Sequence, residues 1–496
     1  MLIIAAYLVG MLAFGWWGRT RATTTSDYFV AGRRLGPALY TGTMAALVLG
    51  GAATVGGVGL GYTHGISGLW LVAAIGTGVT LLSVFFAPVL SRLRIYTVSQ
   101  MLTLRYGPGA VNKAASFVML AYTLMLAATS TAAYASVFVV LFGWERWLAI
   151  LVGGAVVLVY SVLGGMWSIT LADMVQFLIM TVGLFLLMLP ISLAQAGGWA
   201  GMRERLGAEF FDLGGIGLQS IITYFVVYTL GLLIGQDIWQ RVFTARSPRV
   251  AQVGGAAAGV YSILYGLAGA IIGMAAAVAL PGIETPDDVY ASVAQQLLPL
   301  GVGGIALAAA VAAMMSTASG ALIAAATVAR TDIVPMLRGG RTSAESAAAV
   351  SDAGDEAVEE DVTADRWWVL GLGVVALIVA IQVPDVVAAL TIAYDILVGG
   401  LLVAILGGLL WRRGTGLGAA CSMAAGALGT LVTMGVLELR AEVPFAGVYA
   451  NEPIYIGLAL SAVVYVVVSL LSRPTDERIL AAWRQRSQRP PTRAVS

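Results

Sequence analysis

The sequence contains one cysteine and one histidine in 496 residues. Cys421 alone excludes a disulfide framework, and His64 alone leaves no imidazole cluster for metal binding or acid–base chemistry. Charge is scarce as well: Asp, Glu, Lys and Arg make up 11% of the chain, against roughly 25% in a soluble domain. The formal net charge of +1 gives no broad basic face for nucleic acid. The 61 glycines follow no collagen period, so here they serve close helix contact or backbone breaks. What is abundant is apolar: 59% of residues are hydrophobic and the mean hydropathy is +0.90. Repeated apolar stretches of about 20 residues cannot form one soluble core and read as bilayer-spanning helices.

Thirteen spans are expected, at 1–17, 38–62, 67–90, 114–141, 146–164, 169–193, 217–236, 253–280, 296–329, 367–383, 387–411, 415–437 and 452–472. The first could be mistaken for a signal peptide, but it lacks a basic start and a small-residue cleavage signal. Arg19 and Arg21 at its end suit a retained helix. An odd number of spans puts the termini on opposite sides. Alternate loops then collect 23 of the 27 basic residues and leave only Arg146, Arg203, Arg205 and Arg440 on the other face. That bias places the N-terminus outside and the C-terminus in the cytoplasm, in a multi-pass protein of a prokaryotic plasma membrane.

Two polar stretches interrupt this pattern. Residues 339–365 are rich in Ala, Ser, Asp and Glu and read as a disordered cytoplasmic linker. Their spacing lacks the glycine and final glutamate of a calcium loop. Residues 473–496 form a basic tail whose simplest use is contact with an anionic leaflet.

Within the spans, a few residues invite chemistry. Ala46–Gly61 reads ALVLGGAATVGGVGLG, with Gly50 and Gly51 in mid-span. A break there frees carbonyls over Ala46–Leu49, which a cation can satisfy; the alternative is an unbroken, close-packed Gly/Ala helix. Val311–Gly320 reads VAAMMSTASG. Its Ser316 and Thr317 offer neutral oxygens suited to a monovalent cation, with the Ala313 carbonyl on the same face; back-bonding to the preceding turn is the competing use. Asp173 lies a few residues inside a span, with Gln176 on its face, as a cation ligand, proton carrier, gate or helix-end carboxylate. Asp395 sits deeper and would ordinarily join an internal hydrogen-bond network. Asp237 and Arg241, four apart, could pair on one helix face as a gating network. Tyr224, Tyr228 and Thr229 could line a cavity or pack at an interface.

Together these segments resemble the sodium:solute symporter family, over about Ser26–Leu471. The resemblance rests on SDYFVAGRRLGP (26–37), GLGYTHGISGLW (59–70), VLGGMWSITLADMVQ (162–176), QDIWQRVFTARSPRVA (236–251) and AAMMSTASGALIAAATVARTDI (312–333). Ala172 stands where the family usually has a hydroxyl residue before the acid. The implied fold is an all-α integral membrane protein with 13 transmembrane helices. It has a five-plus-five inverted-repeat core with discontinuous helices, shared with sodium-coupled amino-acid transporters. The implied domains are a peripheral segment 1–37, a core 38–411, two peripheral helices over 412–472 and the tail 473–496.

The resemblance implies a sodium site on the carbonyls of Ala46, Leu49 and Ala313 and the hydroxyls of Ser316 and Thr317. Some members hold a second sodium near the acid of the sixth span; here Asp173 and Ser319 are present, but position 320 is glycine. Substrate would bind beside Gly50, Gly51, Ala52 and Ala53, near Tyr224, Tyr228 and Thr229. Asp173, Gln176, Asp237, Arg241, Ser319 and Asp395 would serve coupling or gating. The implied function is sodium-coupled import of a small organic solute by alternating access, with Na+ as coupling ion and no enzymatic activity. Lacking a membrane-centred Lys or Arg, the chain is expected to carry a neutral or zwitterionic solute, with lipid and no obligatory protein as further partners. The alternatives are a transporter-derived sensor, which would need an attached signalling domain that the 24-residue tail is too short to be, or a channel.

Overall fold

The computed structural model describes residues 2–299, 301–338, 362–382, 386–443 and 445–488. Most of the expected acidic linker (339–361) and the last eight residues of the basic tail lie outside the described residues. The described chain is helical throughout; its sole β contact is a parallel bridge between Leu35 and Ala245. This follows from the solvent: in hydrocarbon a helix satisfies its own backbone groups, and nothing else short of a closed barrel does.

Among the described residues nine helices are long and apolar enough to cross a membrane, or ten if the bent pair Leu218–Leu232 and Gln236–Thr244 is one span. Two further apolar helices, Ile3–Arg19 and Pro37–Val48, are shorter. This count differs from the thirteen segments expected, partly because two continuous runs are far longer than a bilayer. Arg146–Gln195 has 50 residues and Ala52–Leu93 has 42. As straight helices they would measure about 75 and 63 Å, against a hydrocarbon core of roughly 30 Å. Both are interrupted at a glycine. Gly65 adopts φ 65°, ψ −144°, and Gly68 then packs on Leu60, 2.5 Å from its carbonyl carbon to where a Cβ would stand. Gly165 adopts φ 52°, ψ −138°, inside the long run. These left-handed turns suit glycine, which has no Cβ to clash. At Gly165 the freed carbonyls of Ser161 and Val162 accept the Tyr28 hydroxyl at 3.2 and 3.0 Å.

Burial sorts the helices by position. The window within Val302–Leu337 is 94% buried, whereas those within Gly416–Arg440 and Glu452–Leu471 are 28% buried. The first is therefore the central post of the molecule, and its Ala- and Gly-rich sequence lets neighbours approach closely. The other two pair with each other at the periphery, where exposed Leu428, Val432, Val463 and Leu470 suit lipid contact.

The arginine-rich end is closed by polar contacts. Asp332, at the foot of the central post, accepts hydrogen bonds from Thr97 (2.7 Å), Ser99, Gln100 (3.1 Å) and Thr331 (3.2 Å). The same helix Val98–Tyr106 is tied by Gln236, which accepts from the Val98 N–H and donates to the Tyr96 carbonyl. Gln240 donates to the Phe29 carbonyl and to Thr327. Asp365 accepts from Thr25 at 2.8 Å and pairs with Arg330 at 3.2 Å. The terminal helix Glu477–Gln488 packs beneath, burying Trp483.

Candidate functional site

The site begins at a helix that stops in mid-span. Pro37–Val48 is regular, but Leu49 has φ −95°, ψ 50°, and the helix resumes only beyond Gly50, through a π-helical turn over Ala52–Gly56. Ending the ladder there removes N–H partners from the last carbonyls. Two replacements are visible. The Thr317 hydroxyl donates to the Leu47 carbonyl at 2.8 Å, and the Thr54 hydroxyl donates to the Leu49 carbonyl at 3.1 Å. Gly50 is required by contact: a Cβ there would lie 2.6 Å from Thr317 Oγ1. The break and the hydroxyl cluster of the central post are thus pressed together.

Ser316 Oγ, beside Thr317, is fully buried and faces the Asp173 carboxylate, with no other polar partner. A buried hydroxyl backed by a carboxylate, a second hydroxyl and carbonyls released by a broken helix are a donor set that fits a monovalent cation. Ser319, by contrast, donates to the Ser316 carbonyl at 3.0 Å within its own helix.

Asp173 is the hub behind this cluster. It accepts from Thr43, on the first half of the broken helix, and from Arg241 Nη2 at 2.9 Å. Asp173 and Arg241 form an ion pair with neither side chain exposed. The expected pairing of Arg241 with Asp237 on one helix face is therefore corrected. The long arginine side chain crosses to Asp173 and lies 3.2 Å from the Cβ position of Gly320, so a larger residue at 320 would crowd it. Asp237 instead accepts from Tyr122 at 3.4 Å. Gln176 shares no bond with Asp173; it donates to Tyr7 of the first helix at 2.8 Å.

A cavity of about 790 Å³ opens from the break. Gly50, Gly51, Ala52 and Ala53 form one wall, and Met314 and Thr317 of the central post adjoin them. Thr129 and Ser130 face in from the helix Ala110–Phe142, Tyr224 and Tyr228 from the bent helix, and Tyr394 and Asp395 from Val386–Leu410. The cavity reaches His64, Asp288 and Asn451, all at the arginine-poor end. Thr229, expected on this wall, is not among its lining residues. Its hydroxyl donates to the Ala74 carbonyl at 2.6 Å, on another side of the π-helical turn Phe225–Thr229 from Tyr228. Asp237, expected only as a gate, does line the cavity.

The family model described as "Sodium:solute symporter family" matches residues 28–426, which is most of the chain. The chain belongs to the sodium:solute symporter family. Among its relatives is a sodium/proline symporter of Staphylococcus aureus (strain JH9), 25% identical over 498 residues, covering 95% of this chain and 92% of that protein. Among solved structures, a Na+-coupled sialic acid symporter in a substrate-bound outward-open state shares the fold with a TM-score of 0.79 at 16% identity, covering 96% of this symporter and 98% of that chain. A nucleobase-cation-symport-1 family transporter, closed around bromovinylhydantoin, is more distant at a TM-score of 0.53 and 15% identity, over 92% and 98% of the two chains.

This symporter is a sodium-coupled secondary transporter of a small organic solute, working by alternating access, and it is not an enzyme. Sodium coupling is typical of the superfamily. Several polar residues of the site escaped sequence reasoning: Thr43, Thr54, Tyr7 and Tyr394. Thr54 and Tyr7 are lone hydroxyls in apolar runs, Thr43 and Tyr394 have polar neighbours in sequence, and for all four only the fold reveals what they touch.

Proposed function

We propose that this symporter imports a small neutral or zwitterionic solute together with sodium. The carbonyls of Ala46, Leu49 and Ala313 and the hydroxyls of Ser316 and Thr317 hold the ion. The observation that carries this reading is the double placement of Thr317, whose hydroxyl is 2.8 Å from a carbonyl of the broken helix while its side chain lines the cavity. Ion occupancy thereby fixes the broken helix against the central post and shapes the wall beside Gly50–Ala53 where the solute rests. An ion shifts such an equilibrium only by its different affinity for the two poses. An inside-negative potential adds about 2.3 kcal/mol per charge per 100 mV.

In the topology we favour, the two glycine-interrupted runs each form two spans, Ile3–Arg19 is a span of its own, the bent pair counts as one, and Pro37–Val48 is the first half of the broken span that resumes at Ala52, giving thirteen. Spans two to eleven make the five-plus-five core. Supporting this, the two discontinuities at Leu49–Gly50 and at Leu233–Gly235 fall in spans two and seven, each the first of a five-helix half. The domains follow as 1–37, 38–411, 412–472 and 473–496. The arginine-rich end is cytoplasmic, so the cavity faces outward. Asp173, Gln176, Arg241 and Ser319 act behind the ion site in coupling, and Asp237 and Asp395 act from the cavity wall.

The test is sodium-driven uptake in proteoliposomes by the Ser316→Ala/Thr317→Ala variant. The half-activating sodium concentration should rise far more than the yield of folded, inserted protein falls. Unchanged sodium activation in that folded variant would refute the site.

A further inference from the structure

The cavity's charge is lopsided. Asp237, Asp287, Asp288 and Asp395 line it, and no Lys or Arg does among the described residues. Acidic residues near a mouth are no site by themselves, but Asp395 is different from the rest. It stands on the wall deep in a spanning helix, only 2% exposed, and its Oδ1 is buried with no hydrogen-bond partner among the described residues. Asp173, Asp332 and Asp365, the other fully buried acids described above, each accept from at least two side chains: Arg241 and Thr43, a ring of hydroxyls and an amide, and Thr25 with Arg330, although Asp173 Oδ1 is itself without a bond. An unpartnered carboxylate in such a place is costly, and its persistence calls for a donor from outside the chain.

Aromatic rings share the cavity wall with it. Tyr394 and Tyr228, both on the cavity wall, have ring centroids 5.7 Å apart at 60°, and Tyr224 continues the series 6.1 Å from Tyr228. A carboxylate beside tyrosine faces attracts a cationic nitrogen by charge and by the ring quadrupole. An anionic group would be repelled by the carboxylate, and an uncharged sugar could donate hydroxyls to it but would leave its charge uncompensated.

We infer that the transported solute carries a positively charged nitrogen and that Asp395 is its counter-ion in the cavity. This rests on the reading of the cavity as the solute site. A zwitterion satisfies both ends of the pocket, with its cationic nitrogen at Asp395 and its anionic end at the amides that follow the Gly50 break. A solute with neither charge can at most hydrogen-bond Asp395 and leaves its charge uncompensated.

The experiment has two arms, using the purified full-length protein. In the first, without a gradient, thermal shift and radiolabel displacement measure binding of L-proline, glycine betaine, choline, glucose, urea and pyruvate. Wild type, Asp395→Asn and Asp395→Glu are compared, each checked for monodispersity. Binding should be confined to the nitrogen cations, about ten- to hundred-fold weaker in Asp395→Asn and partly retained in Asp395→Glu. If Asp395→Asn does not fold, the class preference of wild type and Asp395→Glu carries the test. In the second arm, the same panel is offered to proteoliposomes with a sodium gradient. Binding and uptake of glucose, urea or pyruvate equal to that of the nitrogen cations, or no binding by any nitrogen cation, overturns the inference and leaves sodium symport standing. Cation binding that depends on Asp395 without sodium-driven uptake supports the inference and sinks the symport reading instead.

Discussion

Replacing Gly50 with alanine sets two effects against each other, and their signs differ. Alanine is favoured over glycine in a helix by roughly 1 kcal/mol, so if Gly50 were merely a weak point in a continuous helix, the change would stabilise the protein. In the structure the added Cβ would meet Thr317 Oγ1 at 2.6 Å and Thr317 Cβ at 3.2 Å. Ordinary contact begins near 3.4 Å, so one side must give by about 0.8 Å at the oxygen. The hydroxyl cannot yield freely because it is bonded to the Leu47 carbonyl at 2.8 Å. Overpacking of this kind costs about 1–3 kcal/mol. Because the displaced atom is an expected ion ligand, that cost should appear as a five- to 150-fold rise, roughly, in the half-activating sodium concentration. The assay is initial uptake against sodium in proteoliposomes, with melting temperature measured in parallel. Adding Thr317→Ala removes the colliding oxygen, so the double variant should regain thermal stability but not sodium activation. Wild-type sodium activation in Gly50→Ala would refute the reasoning, since it would mean that the break and Thr317 do not share the ion.

Asp173→Asn should destabilise by about 3–5 kcal/mol because it leaves the Arg241 guanidinium buried without a counter-charge, while the ranking of competing solutes stays unchanged. The Asp173→Asn/Arg241→Gln double variant should melt higher than the single one. Thr229→Val should lower stability by about 0.5–1.5 kcal/mol through loss of the bond to Ala74 and leave solute affinity intact, whereas Tyr228→Ala should weaken solute binding. In a background with Cys421 replaced, single cysteines placed at 246–249 should react with impermeant reagent only from the cytoplasmic side; labelling from outside sealed cells would overturn the topology.

Much of this was legible because hydrocarbon leaves a chain few choices. The apolar runs had to be helices, and the glycine pair and hydroxyl cluster stood out against a background with almost no polar groups. What stayed hidden was long-range pairing. Asp237 and Arg241 are neighbours on one helix, and local spacing favoured them as a pair. Arginine is long enough to reach another helix, however, and Asp173 was the acid buried within its range. Thr229 differs from Tyr228 by one residue, and in the π-helical turn Phe225–Thr229 that single step moves it off the cavity wall, a turn that sequence periodicity does not announce. Asp395 was visible as an intramembrane acid, but sequence spacing could not tell that it would be left without a partner.

The polar closure around Asp332 also determines how the arginine-rich end can open. Greasy seals resist opening because exposing them costs about 25 cal/mol per Å², and water offers nothing in return. The clip of Thr97, Ser99, Gln100 and Gln236 is of another kind, since every bond it makes is one that water can replace in kind. Each such exchange nets only about 0.5–1.5 kcal/mol for the neutral Gln236 bond and about 1.5–3 kcal/mol for those to the Asp332 carboxylate. Water entering at that end would therefore act as a solvent for the latch, dissolving it bond by bond and letting it re-form without a large hydrophobic penalty in either direction. A carrier that must cycle needs an inner door whose open and closed states are nearly level in free energy, and hydrogen bonds exchangeable with water supply that balance.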